Sequence, residues 1–209
     1  MSGLRVLALF IILAVGQVFE KSAGADCLEA LDALRVPYQR AGPISGVDEP
    51  VEVTGPLGGV SYVALGRPRP LVLDCSLVFS LTLAGRYLRD EGITTAVFSD
   101  ALVRRHVRGT DRVSKHSFGL ALDVHRFEGA RRLTVDRDYQ RGLGHGRDCV
   151  GRPGDDRARS LRVLACRLSR SELFRLVLDP DFDSDHRNHF HLQAPAWDER
   201  QDLSWRQVR

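Results

Sequence analysis

The chain lacks a surplus of either charge, carries almost no lysine, and contains no C-x-x-C pair, no internal repeat and no low-complexity tract. Its formal net charge is only +3 over 209 residues, a balance that implies no polyanionic partner. Lysine occurs only at Lys21 and Lys115. This bias toward arginine reads as base composition of the gene and carries no nucleic-acid inference. Without a C-x-x-C pair, a cysteine-bound structural zinc is a poor expectation. No stretch beyond the N-terminus is apolar enough to span a membrane. Regular βαβ alternation is also missing, and helices mixed with short strands argue for an α+β fold, a small antiparallel sheet with flanking helices.

What is present begins with an export signal. Arg5 precedes an apolar run from Val6 to Phe19, broken only by Gly16 and Gln17, and Ala23-Gly24-Ala25 follows. That is the layout of a secretory signal with an A-x-A cleavage site. The run is shorter than the roughly 20 apolar residues of a membrane anchor. The expected division is a signal at 1-25, a domain over 26-195 and a polar tail over 196-209 holding Trp197 and Trp205, in a periplasmic or secreted protein with no stable membrane insertion. The four cysteines, Cys27, Cys75, Cys149 and Cys166, then favour two disulfides. Cys149 with Cys166 closes a short loop and leaves Cys27 with Cys75.

Local pattern predicts the elements. Leu28, Leu31 and Leu34 recur at helical spacing before Pro37, so a short helix is expected over 26-36. Val51, Val53, Val60, Tyr62, Val63 and Leu65 lie in β-prone runs broken by Gly55-Pro56 and Gly58-Gly59, as in a hairpin. Asp74 or Ser76 can cap a helix carrying Leu77, Leu81, Ala84 and Leu88, with Gly92 just past its end. Ile93 to Phe98 is a β-prone run. Asp155 or Asp156 caps the next helix, whose stripe is Leu161, Leu164, Ala165 and Leu168. Leu173–Leu178 and Phe190–Leu192 flank an Asp-rich turn at 179-188.

Two segments carry candidate chemistry. If residues 120-125 form a strand, alternation sends Leu120, Leu122 and Val124 to one face and Ala121, Asp123 and His125 to the other. Gly119 lets the chain bend so that His116 returns over Asp123, and Ala121 leaves space for an ion. In His189-Phe190-His191-Leu192 the same alternation puts both imidazoles on one face. Imidazole and carboxylate are good zinc ligands, and three protein ligands leave a place for water, as in catalytic sites. Such an ion generates a nucleophile near neutral pH and polarises a carbonyl. A lone histidine beside a strand is more often an ordinary hydrogen-bonded residue; two segments presenting ligands opposite apolar stripes shift the balance. His145 and His106 read as exposed, and His125 as lying at the rim.

Ser114, His116, Gly119, Ala121 and Asp123 match an S-x-H-x-x-G-x-A-x-D signature, and His189-Phe190-His191 matches H-x-H. In these the chain resembles the metallopeptidases that include D-Ala-D-Ala carboxypeptidases, murein endopeptidases and phage endolysins. Within that group it is most similar to bacterial extensin-like C-terminal domain proteins, through the Cys149 to Cys166 spacing, Leu161-Arg162, Phe174 to Pro180, and the run His186 to His191. The resemblance covers roughly residues 27-193. It implies that His116, Asp123 and His191 bind zinc on the sheet face, with His189 beside them, and that peptidoglycan peptides are the substrate. It further implies that His186 stabilises the oxyanion and that Arg105 grips a substrate carboxylate or the transition state. Arg104, Arg108 and Arg112 are neighbours of Arg105, and such charges mostly face solvent. One departure stands out. Active relatives carry Asp or Glu three residues before the last ligand, and here Asn188 stands there, an amide that accepts no proton. Loss of general-base help costs ~10²–10⁴-fold in rate. Either Asp185 or His189 replaces the base, or the protein is a metal-binding wall-recognition module with weak or no turnover.

Overall fold

Three helices start where an aspartate accepts hydrogen bonds from their first free N–H groups, as N-caps do. The carboxylate of Asp26 accepts from Leu28 and Glu29, that of Asp74 from Ser76, and that of Asp155 from Arg157 and Ala158. The computed structural model describes residues 26–145 and 148–200. Through its first half the chain forms α1 (Cys27–Ala33), β1 (Tyr38–Arg40), β2 (Pro50–Val53), β3 (Ser61–Ala64), β4 (Leu71–Asp74), α2 (Cys75–Asp90) and β5 (Ile93–Phe98). A 3-10 helix (Lys115–Phe118) leads into β6 (Ala121–Gly129), β7 (Leu133–Thr134), α3 (Val135–Asp138), α4 (Asp156–Arg170), β8 (Leu176–Leu178) and β9 (Phe190–Gln193). The fold is α+β, as expected. The expected signal at 1-25 lies outside the described residues, as does Trp205.

The single small sheet of the expectation is two sheets. β1, β2 and β4 form a three-stranded antiparallel sheet, while the larger one runs β3-β5-β6-β9-β8 with β7 also on β6. In the larger sheet β3 and β5 are parallel and the other pairs antiparallel. The predicted hairpin over 51–65 is therefore corrected: β2 pairs with β1 and β4, and β3 with β5. The reason lies in the turn between them. Leu57 and Val60 bond each other around Gly58-Gly59, and this knot rests on Gly85 of α2. A Cβ at Gly85 would come 2.5 Å from the Gly58 carbonyl, so two glycines let backbones touch and divert the strand to the other sheet.

The helices cover this framework with the stripes their spacing predicts. Leu77, Leu81, Ala84 and Leu88 of α2 and Leu161, Leu164, Ala165 and Leu168 of α4 are buried. They pack with Phe79, Phe98, Phe127 and Phe190 in one core. Burying such a side chain contributes ~1.5–3 kcal/mol each, so loss of any one register is costly. Disulfides join Cys27 to Cys75 and Cys149 to Cys166, with Cα separations of 6.1 and 5.4 Å, the pairing expected from loop length. Among the described residues no helix is long and apolar enough to cross a membrane. The segment drawn as a tail from residue 196 begins by docking on α2. Trp197 meets Phe79 edge-on at 5.3 Å, and the buried Arg200 donates to the Ser76 carbonyl and Ser80 hydroxyl.

Candidate metal centre

Local geometry delivers His116. The Ser114 hydroxyl caps the 3-10 helix by accepting from His116 N–H, and Gly119 ends it in the left-handed region at φ 65°. A Cβ at Gly119 would sit 2.6 Å from the Asp74 nitrogen, so only glycine allows the chain to turn this close to the start of α2. The turn leaves the imidazole of His116 fully buried. Its Nδ1 lies 3.0 Å from the Ala101 carbonyl oxygen. A carbonyl only accepts, so Nδ1 carries the hydrogen and Nε2 presents a lone pair.

Pairing delivers the other two groups. β6 and β9 run antiparallel with Asp123 directly opposite His191, and such partners have side chains within reach of each other. Leu122, Val124, Phe190 and Leu192 are buried beside them, which fixes the register: a slip by one residue would turn the ligands away and the leucines out. His116 Nε2 is 3.2 Å from Asp123 Oδ1 and 3.3 Å from His191 Nδ1, and His191 Nδ1 is 2.8 Å from Asp123 Oδ1. All three residues are buried, and their ligand atoms lie within 4.8 Å of one another.

The group is short of hydrogens. His191 Nδ1–H can donate to Asp123, but the bare Nε2 of His116 faces the same oxygen, acceptor against acceptor. A shared cation resolves that opposition, and the donor set of two imidazoles and one carboxylate suits a divalent ion. The group can hold a metal ion. Burial alone would raise the Asp123 carboxyl pKa, but the adjoining imidazoles of His116 and His191 hold it well below the usual range. Burial lowers the pKa of His191, opposed by Asp123. The ion-binding forms of these two groups, the Asp123 carboxylate and the neutral His191 imidazole, are thus the favoured ones.

Arg105 stands behind the carboxylate. Its guanidinium donates to Asp123 Oδ2 at 3.2 Å and to Asp100 Oδ2 at 2.6 Å. It therefore holds one carboxylate oxygen and leaves the other among the imidazoles; the carboxylates it meets here belong to the chain itself. His189, just before β9, brings Nε2 to 3.5 Å from Asp123 Oδ1. Its Nδ1–H donates to the Asn188 side-chain oxygen at 2.8 Å, which leaves the Nε2 lone pair turned inward. Burial, with neighbouring histidines, lowers the His189 pKa to about 4 against the pull of Asp123.

His186 faces the same centre from the Asp-rich turn, its ring centroid 5.2 Å from His189 and 5.7 Å from His191. Asp183 Oδ1 takes its Nδ1 at 2.6 Å. Sequence reasoning passed over Asp183, although its i, i+3 spacing to His186 was a usable signal. Asp185 instead pairs with the exposed Arg108 at 2.7 Å. His125 is more than a rim residue: half-buried, it lies 5.2 Å from the His189 ring and its Nε2 meets the Ser99 hydroxyl at 2.8 Å. His106 and His145 are exposed. Alternation places His125 on the Asp123 face, but no local signal announces Ser99 or Asp100, which arrive from the end of β5.

The family model described as Extensin-like protein C-terminus matches residues 93–202, just over half of the chain and the whole of the cluster. No curated protein and no solved structure matches.

Proposed function

The chain belongs to the extensin-like protein C-terminus family, and from that premise we propose that it is an exported zinc-dependent hydrolase of peptidoglycan peptide bonds. The observation that carries the reading is the opposition of lone pairs among His116, Asp123 and His191. A zinc ion held there would lower the pKa of a water toward neutrality and polarise the scissile carbonyl. Two disulfides agree with a compartment outside the cytoplasm.

The chain's own residues divide the remaining work. Of the two replacement bases considered for Asn188, Asp185 is committed to Arg108 and partly exposed, whereas His189 adjoins the carboxylate ligand. His189 is the base in this reading. Asn188 becomes a positioning residue, accepting the Nδ1 proton so that Nε2 stays free to take one. Burial holds that imidazole below its ordinary pKa, so it stands neutral and able to accept a proton near neutral pH. His186, tied by Asp183, donates to the developing oxyanion when protonated. Arg105 orients Asp123 by holding its Oδ2.

A second reading, a metal-binding wall-recognition module without turnover, draws on the same Asn188. Digestion of purified peptidoglycan by the zinc-loaded chain, by Asn188→Asp and by His189→Ala separates the two. Release of muropeptide fragments by the native chain, lost in His189→Ala by ~10²-fold or more, supports the hydrolase. Silence in the native chain with rescue by Asn188→Asp supports the module.

A further inference from the structure

β6 breaks its own alternation at His125. Leu122 and Val124 are buried in the core, and so is Phe127, a spacing that a strict period of two cannot give. One extra residue lies between them. Phe98 of β5 pairs with Val124 and Val97 with Arg126, which leaves His125 out of the pairing with β5. A bulge of this kind interrupts the ladder and re-aims a side chain, a device found beside reactive sites.

The re-aimed ring meets groups from three directions. Its Nε2 lies 2.8 Å from the Ser99 hydroxyl, and the Asn188 backbone is in hydrogen-bonding reach of the same ring. It packs on His189 with centroids 5.2 Å apart and planes inclined by 37°. Ser99 is a firm anchor, because its N–H donates to the Asp123 carbonyl at 2.9 Å. From Ser99 the contacts run through His125 to Asn188, whose side-chain oxygen takes the Nδ1–H of His189. They end at His189 Nε2, 3.5 Å from Asp123 Oδ1. Among the described residues, the hydrogen bonds of the His125 ring go to Ser99 and Asn188 and to none of the three ligand side chains.

We propose that His125, anchored by Ser99, is a positioning residue that holds His189 in one orientation and one tautomer, with Nε2 aimed at the metal centre. The tautomer of an imidazole is set by the bond that its other nitrogen makes, and here Asn188 makes that bond only while the turn before β9 is held in place. His125 thus stands where a third group orients a catalytic base. The word base rests on the hydrolase reading above; the orientation of His189 does not.

The test compares the zinc-loaded full chain with His125→Phe, which keeps a ring and removes its nitrogens, and with Ser99→Ala and Ser99→Thr. Long-range ¹H–¹⁵N correlation of the histidine rings near pH 7 reads the His189 tautomer without turnover. The native chain is expected to show Nδ1–H alone, and His125→Phe to show both tautomers. In muropeptide release, kcat falls by ~10-fold or more in His125→Phe, while KM and zinc affinity, by competition with a chelator, stay unchanged. Ser99→Ala lowers kcat in the same direction, and Ser99→Thr, which keeps the hydroxyl, restores it. A single Nδ1–H tautomer or an unchanged kcat in His125→Phe overturns the proposal. So does a loss of zinc affinity as large as the loss of kcat, which would make His125 a support of the ligands. A native chain that releases nothing, with mixed tautomers in His125→Phe, upholds the positioning and removes the hydrolase reading.

Discussion

The chain buries two polar clusters, and their hydrogen-bond needs run in opposite directions. Around Arg162 a cation is set among carbonyl acceptors supplied by the loop before α4, and the chain itself satisfies four of its bonds. Around Asp123 acceptors converge with too few hydrogens between them. The first arrangement is met by the chain at every donor but the Arg162 Nε–H, whereas the second needs a proton or a cation from outside. Burial alone thus does not mark a functional site; an imbalance of donors and acceptors does.

The largest expected effect breaks the acceptor cluster. Asp123→Asn removes the anionic ligand, and zinc content measured by atomic emission should fall from about one per chain to near zero. That corresponds to an affinity loss beyond the ~10–100-fold typical of outer partners. Retained zinc would mean that the cluster does not bind through this carboxylate. Arg162→Met breaks the other cluster. It strands three backbone carbonyls, and urea unfolding should show a loss of about 3 kcal/mol, with zinc content unchanged. If zinc fell as well, the two clusters would be one cooperative unit.

Arg105→Met tests a smaller contribution. Losing the bond to Asp123 Oδ2 should weaken zinc binding by ~10-fold in competition with a chelator, without abolishing it. The gentlest probe is pH. In the metal-free chain His189 takes up its proton at about 4, against about 6.5 in the unfolded chain, and His191 is shifted the same way. Between those values the unfolded state binds more protons, so stability falls as pH drops through the window. Asp123, held below its ordinary pKa, extends the loss to lower pH. The urea midpoint should decrease steadily from pH 7 to 4.5; a flat profile would mean that the folded cluster accepts the protons.

Much of the fold was legible because its signals are local. Asp26, Asp74 and Asp155 cap helices two or three residues downstream, and the stripe Leu161, Leu164, Ala165, Leu168 repeats within its own helix. The His116 and Asp123 spacing across Gly119 was legible for the same reason. The β2–β3 hairpin was misread because Gly58 and Gly85, which divert the strand, meet only in three dimensions. Arg105 looked like a free cation because Asp100 and Asp123 are brought to it by β5 and β6. Nothing in the spacing announced that Arg162 would collect carbonyls from residues 143, 144 and 150.

By itself the amino-acid sequence determined which residue types could ligate an ion, where helices start, and which faces turn inward, since these depend on side-chain chemistry and periods of a few residues. Tertiary structure alone decided that Asp123 and His191, 68 positions apart, stand opposite each other, and which oxygen of Asp123 is left for the imidazoles. The physical reason is that strand register and lone-pair opposition are set by the packing of the whole core.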